Sequence, residues 1–180
     1  QSGLPLALTP LVDPHVHLDK AFSWPGFPNY SGRMQAALEL NLVEGQERSA
    51  QQVLERGERA LDQAWRYGLR GLRSHIDSGG PCSRPSWDAL LQLQQRWQER
   101  VQLQLVALAP LAHWGSSEGL ALAKRVAAAG GLLGGVLGPP FPSSGRDGAE
   151  LDQLLRLAGT LGCGIDLHID ESSEAPAAGV

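Results

Sequence analysis

Hydrophobic and polar positions along the chain switch repeatedly between a period of two and a period near 3.6. Leu8, Leu11 and Val12 lead into Asp13-Pro14-His15-Val16-His17 and read as a short buried strand. From Ser49 to Tyr67, the residues Val53, Leu54, Ala60, Leu61, Ala64 and Trp65 recur at three and four, which predicts an amphipathic helix closed by Gly68. Leu69 to Asp77 predicts a second strand, ended by the turn signal Ser78-Gly79-Gly80-Pro81. A second helix fits Ser86 to Arg100, with Ser86 as N-cap and Trp87, Leu90, Leu91, Leu93 and Trp97 as its apolar surface. Val101 to Ala109 alternates and then becomes continuously apolar, as buried parallel strands do, and Pro110 ends it. A third helix is predicted over Ser117 to Ala129, and a short fourth strand over Leu132 to Leu137, broken by Gly138-Pro139-Pro140. After a loop from Phe141 to Gly148, Leu151, Leu154, Leu155, Ala158 and Leu161 mark a fourth helix stopped by Gly162. Cys163 to Ile169 is the fifth strand, and Ser172 to Val180 is a small, polar tail.

Strands alternating with helices imply a parallel sheet with right-handed crossovers. A doubly wound sheet and a TIM barrel both satisfy that order. The placement of reactive side chains favours the barrel: His15, His17, His75, Asp77, His168 and Glu171 all fall at the C-terminal ends of predicted strands. A complete barrel needs eight strands and typically about 250 residues. Residues 1–180 supply five, so the expected fold is one α/β domain forming a partial (β/α)8-type barrel of about five βα units.

Two stretches fall outside the periodic pattern. Ala21 to Gly32 carries two prolines and two glycines among aromatic residues, with neither period, and reads as an ordered loop. Because it follows the histidine pair directly, segment 19–45 is expected to be a lid-like loop region or pocket wall, with Lys20 and Trp24 offered to a substrate. At the N-terminus, Gln1-Ser2-Gly3 has no start methionine and no basic region before an apolar stretch, as in a chain entered partway through.

Composition narrows the function classes. With 42% hydrophobic residues the chain can bury a full core, and a formal charge of −4 gives no electrostatic case for nucleic acid. No apolar run reaches the length of a membrane span. Cys82 and Cys163 are far apart and form no C-x-x-C motif, so reduced cysteines in a cytoplasmic protein are expected.

The chemistry centres on the first strand. Side chains two apart in a strand point to the same side, so His15 and His17 converge, flanked by Asp13 and Asp19. Two neutral imidazoles on one side are a first pair of ligands for one divalent metal ion, zinc or iron. His168, from a different strand, can add a third nitrogen, and three protein ligands with an open position make a catalytic site. Glu171, three residues on, is placed for the general acid/base role. His75 and Asp77 fit either a substrate or outer-shell contact or a hydrogen-bonded structural pair. His113 reads as a surface or packing histidine, and Arg70 and Arg73 as paired or solvated.

Leu11-Val12-Asp13-Pro14-His15-Val16-His17-Leu18-Asp19-Lys20 resembles the first-strand motif of the amidohydrolase superfamily, in particular its cytosine deaminase-like branch. Gly68 to Asp77 resembles that branch's second strand with its T-H-V-D type ending, and Leu103 to Ala107 its third. Ile165-Asp166-Leu167-His168-Ile169-Asp170-Glu171 resembles the fifth, of the form D-V-H-x-D-E. The resemblance implies a metal-dependent hydrolase that deaminates a nucleobase-like or other cyclic amidine. By match, His15, His17 and His168 become metal ligands and Glu171 the proton shuttle.

Some positions depart from the pattern. Where cytosine deaminases carry a Gln after the third strand, this chain has Pro110, which points away from cytosine itself. The family's His after strand six and metal-binding Asp after strand eight would fall beyond Val180. The isolated chain is therefore expected to be catalytically incomplete, and to self-associate or require its missing half. Two other readings share the histidines: a D-x-H-x-H nuclease or phosphoesterase, and a non-catalytic metal- or ligand-binding remnant.

Overall fold

The computed structural model describes residues 8–138 and 146–171. Five strands, β1 (Leu11–Val16), β2 (Leu69–Asp77), β3 (Gln102–Pro110), β4 (Leu132–Leu137) and β5 (Ile165–Ile169), form one sheet. They lie in sequence order and every pairing is parallel. A doubly wound sheet reverses its order at a switch point. None occurs here, and the sheet curls into an unclosed half-barrel of five βα-type units.

Helices α1 (Met34–Glu47), α2 (Ala50–Arg66), α3 (Ser83–Trp97), α4 (Ser117–Ala128) and α5 (Arg146–Leu161) separate the strands. The start of α2 follows from Ser49, whose hydroxyl accepts from Gln52 N while the Gln52 side chain accepts from Ser49 N, a reciprocal capping box. Its end follows from Gly68, at φ +90°, where a side chain would be strained. The core lies between strands and helices: Leu103, Leu105 and Ala107 on β3 meet Val53 and Leu61 of α2 and Trp87, Leu90, Leu93 and Trp97 of α3. Trp87 and Trp114 are fully buried, and each contributes about 4–6 kcal/mol at ~25 cal/mol per Å² of apolar surface.

Several expectations are corrected. α3 begins at Ser83 rather than Ser86: Pro85 fits a helix's first turn, and Ser86 is buried with its hydroxyl unbonded instead of capping. Residues 146–148, expected in a loop, open α5, where Asp147 complements the helix N-terminus. Pro139 to Gly145 and the tail after Glu171 lie outside the described residues. The first strand is not buried. Leu11 and Val12 are 57% and 69% exposed, because among the described residues β1 is an edge with a partner on one side only.

Segment 19–45 is not a continuous loop. After the aromatic stretch, α1 starts at Met34, and it is turned opposite to an ordinary surface helix. Glu44 and Gly45 are buried, while Met34, Leu38, Leu42 and Val43 are exposed. Its inward face is held by charge rather than by apolar contact.

Candidate metal centre

β1 delivers His15 within the strand and His17 one residue beyond it, where a single 3-10 turn, Leu18–Lys20, bends the chain away. β5 delivers His168 two strands beyond β3, and the curl of the sheet brings it back to β1. One nitrogen from each of His15, His17 and His168 lies within 4.8 Å of the others. The rings of His15 and His168 are 4.6 Å apart between centroids, and those of His17 and His168 5.8 Å.

The protonation of His17 and His168 suits ligation. His17 Nδ1 lies 3.1 Å from the backbone oxygen of His75, which can only accept, so Nδ1 carries the proton and Nε2 keeps a free lone pair. Burial, with the nearby Lys20 charge, pushes the His17 pKa down to about 3. His168 is 7% exposed, its pKa is lowered chiefly by burial, and its Nδ1 is buried without a hydrogen-bond partner among the described residues. Imidazoles with uncommitted lone pairs, converging from two strands, fit a divalent ion.

His75 stands beneath the cluster, fully buried, its ring stacked on His15 at 4.2 Å and 24°. Its Nε2 is 3.3 Å from Asp166 Oδ1, at ion-pair distance but poorly aligned for a hydrogen bond. Burial lowers the His75 pKa more than the Asp166 carboxylate raises it, so the ring is neutral. Asp166 also accepts from Arg73 Nη1 at 2.7 Å, and Arg73 Nε donates to Gln104 at 2.7 Å. Arg73 is thus paired, on the same side of β2 as His75.

Glu171 is half-exposed just past β5, with Oε1 3.9 Å from His168 Nε2. Between them Asp170 turns the chain at φ +53° and donates its N–H to Leu137 at 2.8 Å. Both carboxylate oxygens of Asp170 are buried and unpartnered among the described residues.

Asp77 does not reach the histidine cluster; it belongs to a charged cluster one turn away. Lys20 Nζ donates to Asp77 at 2.9 and 3.1 Å, and Asn41 Nδ2 at 3.1 Å. Arg48 Nη1 donates to Asp19 at 2.7 Å, and Arg48 Nη2 to Asp77 at 3.1 Å and to Glu44. Glu44 accepts in turn from Arg56 at 2.6 Å. Burial alone would raise the Asp77 pKa, but the Lys20 and Arg48 charges outweigh it and hold it low. Asp19, fully buried beside Asp77, is pushed up to about 6 by burial and that neighbouring charge. Arg48, Glu44 and Asn41 were not anticipated; a Glu and an Arg four apart read as a solvated helix pair. Asp166 did leave a signal, two residues before His168 on the same side of a strand.

Lys20 and Trp24 meet at a cavity of about 380 Å³ between the aromatic loop and α1, with Phe27, Asn41 and Glu44 also on its wall. Trp24 packs edge-to-face on Tyr30 at 6.1 Å. His113 is half-buried against Trp114 and is not one of the converging histidines.

No protein-family model matches the chain. It is 36% identical over 167 residues to a pterin deaminase of Rhizobium rhizogenes, covering 91% of this chain and 37% of that protein. Among solved structures, 5-methylcytosine deaminase from Klebsiella pneumoniae superposes with a TM-score of 0.80 at 22% identity, covering 99% of this chain and 46% of that one. N-isopropylammelide isopropylaminohydrolase from Burkholderia multivorans matches with a TM-score of 0.67 at 27% identity, covering 92% and 41%. The chain spans less than half the length of each of these proteins.

Proposed function

The chain belongs to the amidohydrolase superfamily, with the cytosine deaminase-like enzymes, and on that premise we propose that it forms the metal-binding part of a hydrolytic deaminase. The observation that carries this reading is the convergence of His15, His17 and His168, with Glu171 beside them. Those three imidazoles would hold one divalent ion, zinc or iron, which when bound acts as a Lewis acid that makes water nucleophilic near neutral pH. Glu171 would take a proton from the attacking water and hand it to the exocyclic nitrogen of the substrate, so that water would be consumed and ammonia would leave. Its half-exposed position gives the carboxylate the freedom this transfer needs.

The substrate class is a planar, nucleobase-like cyclic amidine. The pterin deaminase relative supports a ring larger than cytosine, and Pro110 at the end of β3, where a side-chain amide reader is absent, weighs against cytosine itself. Trp24 and Lys20 wall a cavity within the range of small-molecule sites and are assigned to substrate contact. His75 and Asp77 act behind the reacting groups, His75 by holding His17. No helix among the described residues is long and apolar enough to cross a membrane. Cys82 and Cys163 are both free, which supports a reducing, cytoplasmic setting.

The test compares wild type and Glu171→Gln with the barrel completed, measuring ammonia release from pterin and cytosine together with bound metal. The expected result is lost ammonia release with metal content retained. Undiminished release would remove Glu171 from the mechanism, and metal binding without any turnover in wild type would give the non-catalytic reading instead.

A further inference from the structure

The turn Leu18–Lys20 sets the direction of His17, and it is docked on its surroundings at an unusual density. Leu18 N donates to Ser74 Oγ at 3.1 Å, Asp77 N donates to Asp19 Oδ2 at 3.0 Å, and Arg56 Nη1 donates to Asp19 O at 3.2 Å. Asp19 is fully buried, so its charge needs a cation, and the one bonded to its carboxylate is Arg48. The same guanidinium, itself with no exposed side-chain surface, reaches Asp77 on β2 and Glu44 and Asn41 on α1. Lys20 serves Asp77, and Arg56 serves Glu44. Each of those carboxylates therefore keeps a second cation bonded to it if Arg48 is removed, whereas among the described residues Asp19 keeps none in contact with its carboxylate.

We propose that Arg48 is a positioning residue for the metal centre: through Asp19 it clamps the 3-10 turn to the end of β2, and so holds His17 with Nδ1 on the His75 carbonyl and Nε2 free. Without Arg48, Asp19 faces Asp77 as one buried carboxylate against another, and its bond to Asp77 N is the first to be lost. The turn then slides along β2 and the His17–His75 bond with it. Arg48 touches neither the histidines nor the cavity, so its effect travels through the backbone of residues 17–19. The same contacts register Asn41 and Glu44, and with them the cavity wall, against the histidine strand. The consequence for metal affinity rests on the metal reading above; the consequence for His17 does not.

The test uses Arg48→Met, Arg48→Lys and, as a remote ion-pair control, Arg96→Met, which breaks the exposed pair with Glu58. Nitrogen-15 spectra of the imidazoles report the His17 tautomer in the metal-free protein, and competition with a chromophoric chelator reports zinc affinity. Wild type and Arg96→Met are expected to show a single His17 tautomer protonated at Nδ1. Arg48→Met is expected to show exchange between tautomers and a zinc affinity roughly 10–100-fold weaker, the usual loss for an outer partner of a ligand. If Arg48→Met does not fold, Arg48→Lys decides: it keeps the charge but not the fork that spans Asp19 and Asp77, and is expected to show the same tautomer exchange with a smaller loss of affinity. A His17 spectrum identical to wild type in a folded Arg48 variant overturns the proposal. Wild type that binds no zinc overturns the metal reading instead, and the tautomer measurement still decides this one.

Discussion

Two polar clusters lie within one turn of each other in this molecule, and they are built in opposite ways. The histidine cluster is under-bonded: His168 Nδ1 and His75 Nδ1 are buried without partners among the described residues, and His17 hydrogen-bonds through one of its nitrogens. The cluster around Arg48 is charged and crowded, with Asp19, Glu44 and Asp77 set against Lys20, Arg48 and Arg56. Buried polar groups are normally satisfied within the protein, so the several unpartnered nitrogens of the first arrangement leave room for a partner from outside, whereas in the second Asp19 Oδ1 alone is buried without a hydrogen bond among the described residues. On the reading proposed above, the first cluster receives an ion and the second holds the chain that presents the ligands.

The largest effect that would break this contrast is expected at Arg48. Removing one partner of a buried ion pair leaves an uncompensated charge, and Arg48→Met is expected to lower unfolding free energy by about 3–5 kcal/mol, read from urea denaturation. The opposite holds for His168→Ala in metal-free protein. That site already lacks a partner, so stability is expected to change much less than at Arg48 while zinc affinity falls by more than the roughly 10–100-fold loss of an outer residue. Equal stability losses in the two variants would dissolve the distinction.

Acidity sharpens it further. His17, His75 and His168 have folded-state pKa values depressed below the usual 6.5, chiefly by burial, so the unfolded chain takes up protons that the folded chain refuses. Stability from these groups is present above pH 6.5 and is lost as pH falls below it, for His17 down to about 3. Each such group contributes a slope of up to about 1.4 kcal/mol per pH unit. Thermal melts of metal-free protein between pH 7 and 5 are expected to show the fall, and His17→Gln to reduce it. Smaller still, Lys20→Ala is expected to cost about 1 kcal/mol, because Lys20 and Asp77 are partly solvated and Asp77 retains Arg48.

The alternation of strand and helix was legible because β2, β3 and β4 bury continuous or alternating apolar runs whose ends are marked by glycine and proline. The histidine pair was legible because a spacing of two has one meaning in a strand. Helix α1 was not, since period arguments assume that apolar residues face inward, and here Leu38, Leu42 and Val43 face out while Glu44 is buried. Arg48 was hidden for a related reason: its partners come from positions 19, 44 and 77, and only the fold brings them together. The exposure of β1 was missed because the apolar pattern of Leu11 and Val12 is that of an interior strand, whereas the sheet leaves them on an edge. Such an edge, with Leu11 and Val12 bare, invites self-association.

Equilibrium zinc binding tests the central claim most directly, on wild type and on the variant with His15, His17 and His168 all replaced by alanine. The account predicts one ion per chain in wild type and none in the triple variant, with the fold of both retained by circular dichroism. Equal binding by the two proteins, or no binding by either, would contradict it.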